Sequence, residues 1–231
     1  TSNTVDTMFV FVCDDTPPEV TVLGPANGTL HESGTTITFT VVDEHLDTVL
    51  ASWDGGSWMS VVGPGYNVTM PAGDGLHWLT VRATDEAGNR LDTWLKYVID
   101  DTPPAVTNPE DMVVAEGNDT AQLTWSITEP HPTTYSVLVN GTVTESGSLY
   151  NNVSTVTFSL GGLGLGTYNI TLVAHDSLGH AASDCVRVVV FDGTPPDMDA
   201  PADIEYIEGD TGHVITWHPY DLHLSLIHIS E

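Results

Sequence analysis

Asp14-Asp15-Thr16-Pro17-Pro18, Asp100-Asp101-Thr102-Pro103-Pro104 and Asp192-Gly193-Thr194-Pro195-Pro196 punctuate this chain three times, at intervals of 86 and 92 residues. Each follows a strand-like apolar run: Met8-Phe9-Val10-Phe11-Val12-Cys13, Trp94-Leu95-Lys96-Tyr97-Val98-Ile99 and Val186-Arg187-Val188-Val189-Val190-Phe191. Paired prolines donate no ladder hydrogen bonds and hold φ at about −65°, so each pair ends a strand and makes a short, stiff crossing. A period of this length is too long for a solenoid and fits one β-sandwich of about 100 residues per unit.

Between the first two junctions, alternating or β-branched runs recur over 20–23, 36–42, 48–53, 57–61, 66–70, 76–83 and 93–99. Glycine- and asparagine-bearing turns such as Asp54-Gly55-Gly56 and Gly63-Pro64-Gly65 separate them. The next unit repeats the scheme over 112–115, 122–127, 135–140, 142–145, 153–160, 167–174 and 185–191. The expected fold is therefore all-β, as tandem immunoglobulin-like Greek-key sandwiches of about seven strands each. Gly166-Thr167-Tyr168 has the form of a tyrosine corner, and His77 takes that place in the first unit.

This organisation divides the chain into the last strand of a truncated preceding domain (1–15), whole domains over 16–101 and 102–193, and the start of a further truncated domain (194–223). With an offset of 92, Pro109, Glu116, Gly117, Trp125 and His131 match Pro201, Glu208, Gly209, Trp217 and His223. The last eight residues, 224–231, resemble a translated sequencing adapter and are expected to be an artefact.

The chain of 231 residues carries 32 Asp plus Glu against 4 Lys plus Arg, a formal net charge of −28. Arg82, Arg90, Lys96 and Arg187 cannot supply the counterion release of nucleic-acid binding, so that partner is excluded. The acidic surface reads either as a solvated exterior or as an attractor of divalent cations and basic partners. No membrane-length apolar run occurs in this fragment. Cys13 and Cys185 fall in different domains at non-equivalent positions, which argues against an antibody-like intradomain disulfide. Asn27, Asn67, Asn118, Asn140, Asn152 and Asn169 each open an N-x-Ser/Thr sequon. They are expected glycosylation sites of a secreted chain, although Asn-Gly turns generate some sequons unaided.

Thr84-Asp85-Glu86-Ala87-Gly88-Asn89, together with the Asp-Asp-Thr-Pro-Pro junctions, resembles the Ig-like repeats of bacterial and archaeal cell-surface proteins. The second unit, with Glu116-Gly117 and Tyr168, is closer to fibronectin type III and hyaline-like repeats. This resemblance implies extracellular or cell-surface display, adhesion or spacing, with neighbouring repeats and surface glycans or proteins as partners, and no catalysis. A glycan- or protein-binding adhesin module and a spacer within a larger secreted enzyme are the alternatives.

Asp14, Asp15, Asp100, Asp101 and Asp192 sit at the junctions, where they can meet loop carboxylates Asp43, Glu44, Asp85 and Glu86 and offer Ca²⁺ the six to eight oxygens it prefers. A junction ion resembles cadherin architecture, though no cadherin ligand motif is complete, and no cofactor is required. His213, His218 and His223 are spaced by five, which alternates faces on a strand and does not converge on zinc. The glycines from 161 to 166 lack the Lys-Ser/Thr and helix of a phosphate loop. No nucleophile elbow occurs. The tryptophans lie in or beside strands and are read as core rather than as a sugar platform, with Trp58 the exception worth testing.

Overall fold

The computed structural model describes residues 13–223. The expected strand ending at Cys13, except for Cys13 itself, and the adapter-like tail 224–231 lie outside the described residues. The chain divides into two compact units between Pro103 and Pro104.

The first unit is a two-sheet sandwich built from β1 (Glu19–Gly24), β2 (Leu30–His31), β3 (Thr36–Val42), β4 (Leu46–Trp53), β5 (Met59–Ser60), β6 (Tyr66–Thr69), β7 (Gly75–Asp85) and β8 (Arg90–Ile99). One sheet has the order β1-β3-β6 and the other β2-β8-β7-β4-β5. The period-2 pattern of the sequence sets which residues face inward. Ile37 and Phe39 from β3, Leu79, Val81 and Ala83 from β7, and Leu95, Tyr97 and Ile99 from β8 are almost wholly buried between the sheets.

The second unit repeats the plan with β9 (Ala105–Val106), β10 (Met112–Ala115), β11 (Gln122–Thr128), β12 (Pro132–Val139), β13 (Thr142–Ser148), β14 (Val153–Ser159), β15 (Gly166–Asp176) and β16 (Ala181–Phe191). Its sheets are β9-β11-β14 and β10-β16-β15-β12-β13. Trp125 is fully buried at its centre, and its indole N–H donates to Asp184 Oδ2 at 2.8 Å. Within 194–223 the regular structure is one short antiparallel pair, β17 (Asp197–Met198) with β18 (Pro219–Tyr220).

The three copies share one register. Glu19 faces Val42, Ala105 faces Thr128 and Asp197 faces Tyr220, at the same offsets of 86 and then 92 that separate the proline junctions. Each complete sandwich has eight strands, in keeping with the expected plan of about seven. The opening strand is broken, at Gly24-Pro25 in one unit and before Pro109 in the other, and its second piece crosses to pair in parallel with the last strand (β2 with β8, β10 with β16). Strands of two residues, such as β2 and β9, are too short to show an alternation.

The corner before the sixth expected strand is closed alike in both units. The Tyr168 hydroxyl donates to the Gly164 carbonyl at 3.0 Å, four residues upstream. His77 Nε2 lies 2.9 Å from the Gly73 carbonyl, also four residues upstream, and its Nδ1 lies 2.7 Å from Asp54 Oδ2. The Asp54 contact first, then the Gly73 bond, raises the His77 pKa above its ordinary 6.5. Asp54 is held below the usual carboxylate range: partial desolvation opposes this, but the Trp78 amide and His77 outweigh it.

Two predictions follow from this corner. Tyr168→Phe is expected to lower the stability of the second sandwich by about 1 kcal/mol, the net worth of one hydrogen bond, measured by urea denaturation. A group whose pKa is raised on folding contributes stability that is full below its unfolded value and lost as pH rises through the folded one. The first sandwich is therefore expected to lose stability above about pH 6.5 in thermal melts. His77→Tyr, which keeps a donor for Gly73, is expected to flatten that dependence.

Candidate junction cation site

The strand ends and loops nearest the first proline junction carry carboxylates because turns there need side-chain acceptors. Asp14 Oδ1 accepts the Thr16 amide at 3.1 Å and the Thr16 hydroxyl at 2.7 Å, closing the turn that leads into Pro17 and Pro18. These bonds, the hydroxyl first, hold the Asp14 carboxyl below its usual range, so it stays ionised. Asp43 opens the turn after β3, and its Oδ1 accepts the His45 amide at 2.8 Å. Asp85 closes β7 and is almost fully buried.

Asn89 organises the site. Its amide N–H donates to Asp85 Oδ1 and its side-chain Nδ2 donates to Asp85 Oδ2, both at 2.8 Å, while Nδ2 also reaches the Asp14 carbonyl at 2.9 Å. The Thr84-to-Asn89 motif thus ties the end of β7 to the junction. Asn89 was not among the expected site residues, and its signal was the four-residue spacing from Asp85 within that motif.

The result is that Asp14, Asp43 and Asp85 bring one carboxylate oxygen each to within 4.8 Å of one another. Glu86 and His45, with Asp14 and Ala87, line a shallow recess at the same place. Asp15 and Glu44 are exposed and do not join the triad. Asp101 is used elsewhere: its Oδ1 accepts the Ser33 amide at 2.7 Å and its own amide donates to Asp74. Asp100 is buried and accepts the Thr102 amide at 3.4 Å.

At the third junction Asp192, Asp221 and His223 converge in the same way. Asp192 Oδ1 accepts the Thr194 hydroxyl at 2.6 Å and its amide at 2.9 Å, and these bonds hold Asp192 below the usual carboxylate range. Asp221 Oδ1 accepts the His223 amide at 2.7 Å. In the second repeat Glu129 Oε1 accepts the His131 amide at 2.9 Å. Asp43, Glu129 and Asp221 thus occupy one repeat position, as do His45, His131 and His223, at the junction offsets. His218 instead pairs with Asp199 at 2.7 Å and His213 stacks on Tyr206, so the three histidines 213, 218 and 223 do not converge.

No family model matches the chain, and no curated protein matches it. Solved structures with a similar arrangement include the fibronectin(III)-like modules of Clostridium thermocellum CbhA, at 23% identity over 75% of this chain and 95% of that one, with a TM-score of 0.37. The titin domains z1z2 in complex with telethonin share 17% identity over 78% and 100%, with a TM-score of 0.30. DIP-gamma IG1+IG2 shares 17% over 76% and 98%, with a TM-score of 0.39. At such values these likenesses carry no functional argument.

All six sequon asparagines are exposed. Cys13 and Cys185 are free thiols at the surface. Among the described residues no catalytic triad is assembled, and no helix is long and apolar enough to cross a membrane. The tryptophan reading needs correction. Trp125 is core and Trp53 is partly buried, but Trp58, Trp78, Trp94 and Trp217 are 41–64% exposed. Trp78 and Trp94 each precede a buried leucine, Leu79 and Leu95, and strand alternation turns them to the opposite face.

Proposed function

We propose that this chain is a non-enzymatic segment of an extracellular repeat array, with a structural and adhesive role, in which a divalent cation, calcium by its ligand chemistry, sits at the junction preceding each sandwich. The observation that supports it is the triad of Asp14, Asp43 and Asp85, whose oxygens lie within 4.8 Å; the repeat restates two of these positions with Asp192 and Asp221, which converge with His223. Hard oxygen donors from carboxylates suit Ca²⁺, and an ion among them would offset their mutual repulsion. It would tie the junction segment to the loops of the sandwich that follows.

The six exposed sequons fit a secreted chain carrying N-linked glycans. Limited proteolysis of the full chain tests the cation reading. Cleavage between Cys13 and Pro18 is expected to slow in calcium relative to EDTA, and equal rates would remove the ion from the proposal.

A further inference from the structure

The outward face of the β2-β8-β7-β4-β5 sheet differs from the rest of this acidic molecule. On β7 and β8 the outward positions include Trp78, Arg82, Arg90, Trp94 and Lys96. Three of the four cations of the whole chain stand there, while of its 32 acidic residues only Asp92 occupies an outward position on these two strands. Asp92 is taken by Arg82 in a bidentate pair at 2.8 and 2.9 Å and lies 3.6 Å from the half-exposed Arg90, and Asp54, beside Trp78, is taken by the Trp78 amide and His77.

The tryptophans form a track rather than a patch. Trp78 faces Lys96 and Thr80 faces Trp94 across the β7–β8 ladder, which makes Trp78 and Trp94 diagonal neighbours, about 7–8 Å apart. Trp58 extends the track from the other side, with the Arg82 guanidinium stacked 4.2 Å over its ring. Trp78 and Trp94 are 49% and 64% exposed. Indole faces interleaved with hydroxyls and cations are suited to pyranose rings, whose C–H faces stack on aromatics while their hydroxyls and acid groups find polar partners.

We infer that this face binds an acidic polysaccharide, a chain of sugars bearing carboxylates, with the rings on Trp78 and Trp94 and the carboxylates on Lys96 and Arg90. Charge complementarity selects this occupant, because Arg82, Arg90 and Lys96 against the one outward carboxylate of Asp92 leave these two strands with a positive surplus on an otherwise acidic molecule. In the second sandwich the register equivalents of Trp78 and Lys96 are Asn169 and Arg187, a sequon beside a cation, so the stacking track belongs to the first sandwich alone among the described residues. This inference does not rest on the junction cation.

Polygalacturonate oligosaccharides titrated into the full chain in EDTA, followed by tryptophan fluorescence, test it, with cello-oligosaccharides of equal length as the neutral control. Saturable binding of the acidic chain is expected, weakened about tenfold or more by Trp78→Ala or Trp94→Ala with unchanged melting curves, since both side chains are exposed. Lys96→Gln is expected to flatten the salt dependence. Absence of saturation, equal affinity in the tryptophan variants, or equal binding of the neutral chain would overturn the inference. So would self-association in sedimentation that Trp94→Ala abolishes, which would assign the face to a second copy.

Discussion

Trp125→Ala is expected to remove about 3–5 kcal/mol from the stability of the second sandwich while leaving the first intact. Trp125 has no exposed surface, lies at the centre of a cluster that includes Leu123, Ile127, Leu172 and Val186, and spends its one polar atom on Asp184. Truncation removes the largest buried side chain of the unit and leaves the partly buried Asp184 carboxylate without its indole donor. Aromatic-to-alanine changes in cores cost about 3–5 kcal/mol, against a total stability of about 5–15 kcal/mol for a domain. Near-ultraviolet circular dichroism and proteolysis should show the loss confined to residues after Pro104. Phe39, buried and stacked on Tyr66 at 5.7 Å, is the repeat counterpart of Trp125, and Phe39→Ala should produce the reciprocal pattern.

Calcium is expected to raise the melting temperature of the first sandwich by about 10 °C at ten millimolar. Extracellular calcium modules bind at about 10⁻⁴–10⁻³ M, so this concentration stabilises by roughly 1.4–2.7 kcal/mol through mass action. One kcal/mol shifts the melting point of a domain of this size by about 4–8 °C. Magnesium, which dehydrates reluctantly and demands octahedral geometry, should do much less. Asp43→Asn is expected to abolish the shift. Asn89→Ala is expected to weaken it by releasing Asp85 Oδ2 and the Asp14 carbonyl, while the backbone bond to Asp85 Oδ1 stays. A shift that survives both substitutions would place the effect elsewhere on the acidic surface.

How far the residues could be read depended on the range of the interaction involved. Proline junctions and period-2 runs are local, so the sandwich plan and most strand positions were legible directly. The two-residue strands β2 and β9 were not read, and β10 was read as a strand without its parallel pairing, because pairing with β8 and β16 depends on residues about seventy positions away. The same holds within the site. Asp14, Asp43 and Asp85 were named in advance, but so were Asp15, Glu44 and Glu86, and only the turn geometry set by Thr16, His45 and Asn89 separates the members of each adjacent pair. Trp58 was singled out, but the outward Trp78 and Trp94 were missed although their signal was present, since the alternation that buries Leu95 turns Trp94 outward.

Calorimetric titration of calcium into the full chain, beside the Asp43→Asn and Asp221→Asn variants, tests the central claim most directly. The account predicts saturable binding in the parent chain, with sites lost separately in each variant. A titration without saturation, or one that neither substitution changes, would contradict a cation at the repeat junctions.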